Sequence, residues 1–420
     1  MNADRLTLAG FTHFGARGLK GIEMYYLVNE VWKSKRLHKV IAVSKKHCRY
    51  DFDLDLVETL PGESRLISGL NRIQKRVWQA FPSGWLGEMI FDRYAASRLT
   101  APGDILVLTA GLVHTARKAK ALGYQVVLYG ATPDPRYLAE QVRAEQAAFG
   151  FKSGGEDKNR AWKMARFAAH VENSDYILAL SDFAKETYVR YGFPKERIFV
   201  APLGVDLQRF HATPPPPRDT SFTYLLVAHV SGTTGVLKGL QYLLEAWSTL
   251  ELKNSKLQVC GEIGSEAHKL IGKYGGKLRN VEFTGRVSNP EEYYQKSSVF
   301  VLPSLAEGLP RVVLEAMACG RPVITTPILK PVVREGLDGF YIPMRDVAAL
   351  KERMVYFYNH REEVERMGRN ASERAQEFTW ERFSGQIAEI LSQKLERGGK
   401  NGRCDQTIKS AVSTAHAAVL

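Results

Sequence analysis

The sequence predicts an α/β protein built from two successive units of similar size, each a parallel sheet covered by helices. Three observations carry that expectation. The chain has 420 residues, which suits two domains of roughly 200. Short apolar, strand-like runs alternate with helical stretches of roughly 10–15 residues, the pattern of βαβ units. A proline-rich segment at residues 213–219 interrupts this alternation near the middle, and the same rhythm restarts after it.

The first unit is read over residues 1–212. Its first strand lies in the apolar run 6–11, which ends in the loop His13-Phe14-Gly15-Ala16-Arg17-Gly18. A helical pattern follows over 22–32. Strands are expected at 40–43, 104–108, 125–128, 176–180 and 198–201. Ser181 precedes a helix over 182–191 as its N-cap, and Gly192 ends it. The second unit is read over 220–378. Strands are expected at 223–228, 256–259, 281–284, 299–302 and 323–325. Between them, residues 240–250 place Tyr242, Leu243, Ala246, Trp247 and Leu250 on one side of a helix. A helix over 310–319 has proline at its start and Gly320 past its end. A last helix over 379–395 is expected to cross back to the first unit. Residues 396–420 lack helical spacing and are read as a disordered tail.

Composition narrows the function. Hydrophobic residues are 45% of the chain, enough for large cores without staples. Cys48, Cys260, Cys319 and Cys404 lie far apart with no CxxC pair, so neither a zinc site nor a disulfide framework is expected. That usage fits a reducing compartment, and the cytoplasm is the expected location. The opening residues lack a basic stretch followed by an apolar run, so no leader peptide is expected. The net charge of +13 points to phosphate-bearing partners. No arginine-rich tail or nucleic-acid motif accompanies it, so nucleic acid is not expected. Leu66, Ile67, Leu70, Ile73, Val77 and Phe81 recur at helical spacing, with Arg65, Arg72, Lys75 and Arg76 largely opposite. Such a helix either faces the core or lies on an anionic membrane, giving peripheral contact at the inner membrane face.

The chemistry concentrates in residues 301–324. A buried strand ends in a loop containing Ser304, Glu307 and Gly308, and the loop opens a helix at Pro310. Loops at strand carboxyl ends are where α/β proteins bind ligands. The helix start offers free N–H groups and a positive dipole end to a diphosphate, through Gly308, Leu309, Pro310 and Arg311. Glu307 and Glu315 are eight residues apart, with carboxylates able to accept hydrogen bonds from sugar hydroxyls.

This string closely resembles the E-x7-E signature of glycosyltransferase family four, with Glu307 and Glu315 as its two glutamates. The resemblance extends over about residues 5–395 and is closest from Asp175 onward. It implies a GT-B fold: two Rossmann-like domains with parallel sheets facing across a cleft. It also implies metal-independent transfer of a hexose-type sugar, with retention, from a nucleotide-sugar donor to a glycan or lipid-linked acceptor. The donor, a UDP- or GDP-sugar, is a substrate, and no further cofactor is implied. By resemblance Glu307 touches the donor sugar, Glu315 holds the ribose and Lys238 neutralises the phosphates. Arg286 lies near the nucleobase, and the Gly15–Gly18 loop lies beneath the diphosphate. The chain departs from the family pattern at His229, where many members carry arginine, so His229 becomes a phosphate donor. It departs again after the strand at 125–128, where no histidine aligns. Asp134 is read there as a polar group on the acceptor side, and His114 as structural. Asp51, Asp53 and Asp55 form overlapping Asp-x-Asp patterns of the kind that binds metal in single-sheet glycosyltransferases; here they are read as a strand or loop edge. Two rival readings remain: a GT-B nucleotide-sugar epimerase and a non-catalytic nucleotide-sugar-binding protein.

Overall fold

The computed structural model describes residues 6–15, 19–45, 48, 50–62, 69, 85–100, 104–150, 156–231 and 235–394. Gly18, residues 66–81 apart from Gly69, and the tail 396–420 lie outside the described residues.

Two parallel sheets form the frame. The first has seven strands: β1 (Leu6–Ala9), β2 (Leu37–Ala42), β3 (Val57–Thr59), β4 (Ile105–Thr109), β5 (Gln125–Gly130), β6 (Tyr176–Ala179) and β7 (Ile198–Val200), in the order β3-β2-β1-β4-β5-β6-β7. The second has six: β8 (Phe222–Val227), β9 (Ser255–Cys260), β10 (Val281–Gly285), β11 (Val299–Leu302), β12 (Val323–Thr325) and β13 (Gly339–Tyr341), in the order β10-β9-β8-β11-β12-β13. The two orders are the same doubly wound arrangement. In each, the strand order reverses at one point, between β1 and β4 and between β8 and β11. Crevices at such switch points, beyond the strand carboxyl ends, hold ligands.

Helices cover both faces. In the first unit they are α1 (Leu19–Lys33), α2 (Trp85–Ser97), α3 (Val113–Ala121), α4 (Pro135–Phe149), α5 (Glu156–Glu172) and α6 (Asp182–Arg190). The second unit adds α7 (Leu240–Trp247), α8 (Ser265–Tyr274), α9 (Pro290–Lys296), α10 (Arg311–Ala318), α11 (Val347–Asn359), α12 (Arg361–Ala375) and α13 (Trp380–Glu389). The central strands are apolar on both faces: β1 and β11 are buried along their whole length. Unbroken apolar runs of this kind are what a parallel sheet covered on both sides requires.

Caps appear where the sequence marks them. Ser181 Oγ accepts the Ala184 N–H at 3.1 Å, and Asp346 Oδ1 accepts that of Ala349 at 2.9 Å. Pro310, expected as the first residue of the helix over 310–319, is instead its N-cap, and α10 begins at Arg311. Asp53 also caps, accepting the Asp55 N–H at 3.0 Å to start a short 3-10 turn over Leu54–Leu56. The Asp-x-Asp region is therefore a capped turn between β2 and β3.

Buried ion pairs shape the first unit's switch point. Asp92, fully buried on α2, accepts the His114 and Thr115 N–H groups at 3.0 and 2.9 Å and Arg166 Nη2 of α5 at 2.7 Å. Arg166 also donates to the Gly111 carbonyl, and His170 Nδ1 accepts the Gly111 N–H at 3.1 Å. Burial pushes the His170 imidazole down to about 4, so it stays neutral and acts as that acceptor. The loop after β4 and the start of α3 are thus fixed by two helices, α2 and α5.

The start of the segment 213–219 is tied to the second unit. Arg321, fully buried, donates to Thr213 O at 2.8 Å and Pro214 O at 3.2 Å. Helix α13 returns to the first unit: Trp380 stacks on Tyr26 of α1 with ring centroids 4.9 Å apart, and Ser384 Oγ accepts the Glu30 N–H at 3.2 Å. The crossing is close, since a Cβ on Gly204 would lie 2.3 Å from the Trp380 nitrogen. Among the described residues no helix is long and apolar enough to cross a membrane.

Candidate functional site

A cleft of about 1270 Å³ lies between the two units and is lined by both. Its second-unit wall is the switch point between β8 and β11. After β8 the chain makes a 3-10 turn, Gly235–Lys238, and enters α7 through Gly239 in the left-handed region, φ +74°. A side chain at Gly239 would put its Cβ 2.0 Å from the Pro303 carbonyl oxygen, so only glycine lets the two loops meet. The Leu305 N–H donates to Leu237 O at 2.8 Å and joins them. This brings Lys238 Nζ to 2.6 Å from Glu307 Oε1, which also accepts the Ser304 hydroxyl at 3.0 Å. The carboxylate is nearly buried while the ammonium keeps 27% of its side-chain surface. The pair therefore presents a cation to the cleft from a fixed base.

Glu315 lies about one turn into α10, buried, and accepts the Tyr294 hydroxyl at 2.9 Å. Burial raises its carboxyl above the usual value, and the nearby Arg311 charge and the Tyr294 bond pull it back down. Arg311, Leu309 and Pro310 line the cleft at the start of α10. On the opposite wall Tyr129 donates to Glu23 Oε2 at 3.1 Å. Burial, then the Glu23 charge, raises its phenol well above the usual value, so it remains a donor. The lining Cys260 thiol is pushed up to about 11 by burial and is no nucleophile.

The other expected residues are placed as follows. Arg286 lies at the rim with 75% of its side chain exposed, and its guanidinium pairs with Glu262, Nε to Oε2 at 2.7 Å. His229 also faces Glu262, Nδ1 to Oε2 at 3.9 Å, and its Nε2 is 2.6 Å from Ser231 Oγ. Gly15 adopts φ +63° over Cys48 and does not line the cleft. Asp134 is corrected: it is fully buried and caps α4, accepting Arg136 N at 2.8 Å and Arg136 Nη2 at 2.8 Å, so it is not an acceptor-side group. The dipeptide Asp134-Pro135, an N-cap followed by proline at the first helical position, was the signal for that role. Sequence reasoning missed Glu262, Tyr294, Glu23 and Tyr129, which reach the site from four separate elements.

Gly308 has a role the sequence did not suggest. A Cβ there would lie 2.0 Å from the Ala131 carbonyl oxygen of the first unit, so the glycine permits contact between the units beside Glu307. Gly308→Ala is expected to cost about 1–3 kcal/mol through backbone displacement. Differential scanning calorimetry will read this as a lowered Tm. The control Gly272→Ala, at a helical site with open space around it, should hold or raise Tm.

Comparison with solved structures now identifies the architecture. Sucrose-phosphate synthase from Thermosynechococcus elongatus aligns over 94% of this chain and 100% of its own, with TM-score 0.65 and 19% identity. Anabaena HepE aligns over 92% and 99%, with TM-score 0.61 and 17% identity. The fold is GT-B. Residues 225–360 match the family described as glycosyl transferases group 1, so most of the second GT-B unit carries that family's sequence pattern. An uncharacterized glycosyltransferase of Methanocaldococcus jannaschii is 31% identical over 149 residues, 34% of this chain and 42% of that protein. The D-inositol 3-phosphate glycosyltransferase of Corynebacterium urealyticum is 30% identical over 245 residues, 52% of this chain and 57% of that protein. The chain spans about half the length of these curated relatives.

Proposed function

We propose that this GT-B protein transfers a hexose-type sugar from a nucleotide-sugar to a glycan or lipid-linked acceptor, with retention and without a metal. The observation that carries this reading is the Lys238–Glu307 pair at 2.6 Å, set at the switch point of the second sheet with Glu315 on the adjoining helix. In the proposed reaction Glu315 accepts hydrogen bonds from the ribose, and Lys238 with the α10 N–H groups faces the diphosphate. Glu307 orients the sugar hydroxyls. The acceptor hydroxyl attacks the anomeric carbon on the face the leaving group departs from. The bond from that carbon to the phosphate oxygen breaks, and the departing phosphate takes the acceptor proton. A fixed cation stabilises the charge that develops on it.

HepE has been solved with UDP and with UDP-glucose, which makes UDP-sugars the first donors to test. A calorimetric screen of UDP-, GDP-, ADP- and dTDP-sugars without metal should give one base class that binds, and acceptor-dependent release of the nucleoside diphosphate. Activity that vanishes with a chelator and returns with manganese would overturn the metal-independent reading. Nucleotide binding without acceptor-dependent release would reduce the protein to a binding module.

A further inference from the structure

Helix α4 of the first unit carries a fully buried carboxylate, Glu145, whose hydrogen-bond donors lie in the second unit. Its Oε2 accepts Gln241 Nε2 at 2.6 Å and the Tyr242 hydroxyl at 2.7 Å, while its Oε1 accepts Arg345 Nε at 2.8 Å. All three donors belong to the second unit. Arg345 also donates from Nη2 to Gln141 Oε1, one turn back on α4, at 2.8 Å. The ring of Phe149 packs edge-on against Tyr242, centroids 5.5 Å apart, and closes the apolar side.

Gln241 links this cluster to the site. The same amide nitrogen that donates to Glu145 donates to Val236 O at 2.8 Å, inside the turn Gly235–Lys238. Glu145 thus reaches the Lys238 turn through one side chain. The other end of the same β5–α4 segment, Ala131, abuts Gly308 beside Glu307. One stretch of the first unit therefore braces both loops that carry the Lys238–Glu307 pair. A carboxylate sheltered from solvent is favourable only while its donors surround it, so the contact is specific to one docked arrangement.

We infer that Glu145 is a positioning residue: docking of the first unit on Gln241, Tyr242 and Arg345 sets the Lys238 turn, so the phosphate-facing cation is in place only when the units are closed together. The inference rests on the reading that Lys238 meets the donor diphosphate. The bracing itself does not, and the test separates the two.

Hydrogen–deuterium exchange on the intact, ligand-free protein tests the bracing. Glu145→Gln and the milder Tyr242→Phe should speed exchange across residues 235–244 while β8 and β11 stay protected. Unchanged exchange in that segment, or loosening spread evenly over the chain, overturns the inference. Transfer kinetics test the consequence. Glu145→Gln should lower kcat about tenfold or more, as a displaced catalytic group does, with the donor KM moved less than about threefold. Adding Lys238→Ala to Glu145→Gln should cost far less than it does in the wild type, because the two act through one turn. Additive losses overturn the inference. Local loosening at 235–244 in a protein that transfers no sugar would leave the brace standing and sink the reaction instead.

Discussion

Lys238→Ala should lower the transfer rate about 10²–10³-fold, the loss expected when one fixed group facing developing charge is removed. As the glycosidic bond to the phosphate lengthens, negative charge grows on the leaving oxygen, and the Lys238 ammonium is the cation that the Glu307 loop holds at the cleft surface. Its side chain is only 27% exposed, so the charge acts through a medium less screening than water. The substitution also leaves the nearly buried Glu307 carboxylate with the Ser304 hydroxyl alone. The loss should therefore appear in kcat and in affinity for a nucleoside diphosphate, while affinity for the bare nucleoside, which Lys238 does not approach in the proposed pose, stays within about twofold. Initial rates and titration calorimetry with nucleoside, monophosphate and diphosphate check each part. Lys238→Arg should recover little, because a planar guanidinium cannot take the place of a compact ammonium between two loops joined through Gly239. A Lys238→Ala protein with unchanged kcat would remove the leaving-group role.

Much of this arrangement was legible in the sequence, for a physical reason. Residues 301–324 hold a strand, a loop and a helix in direct succession, so the placement of Glu307 and Glu315 follows from local structure alone, and only the helix start moved, from Pro310 to Arg311. Lys238 was picked out by the family resemblance, and the structure places it in the turn that leads into α7 and beside Glu307. What stayed hidden depends on distant segments meeting. Tyr294 reaches Glu315 from α9, and Glu145 reaches Gln241 across 96 residues; neither pairing leaves a trace in spacing. The short edge strands β3 and β13, three residues each, are too brief to show a period. The Arg286–Glu262 pair joins residues 24 apart, so no local pattern reveals it, although Arg286 does line the cleft as the resemblance implied. Gly308 lines the cleft as expected, but its close approach to the Ala131 carbonyl joins residues far apart in the chain and leaves no trace in the sequence.

Glu315→Gln should separate stability from binding. Burial raises the Glu315 carboxyl above its ordinary value of 4.5, outweighing the Arg311 charge and the Tyr294 hydrogen bond that favour ionisation. For a group whose folded value lies above its unfolded one, the stabilising contribution is complete below the unfolded value and is lost as pH rises through the folded value. At neutral pH the ionised carboxylate is thus a net cost to the fold, and a neutral isostere that still accepts the Tyr294 hydroxyl removes it. The variant should therefore melt higher than the wild type, which differential scanning calorimetry reads directly. Nucleotide affinity should move the other way, because a carboxylate accepts from both ribose hydroxyls while the amide offers one acceptor and two donors. A loss of about 10-fold or more is expected, since hydrogen bonds to charged groups contribute about 1.5–3 kcal/mol. The pH profile adds an independent check. Wild-type affinity should fall on acidification from a higher pH than an exposed glutamate would give, and the Glu315→Gln profile should lose that inflection. A variant that melts lower and binds as the wild type does would mean that Glu315 serves the packing of α9 on α10, and that the ribose is held elsewhere in the cleft.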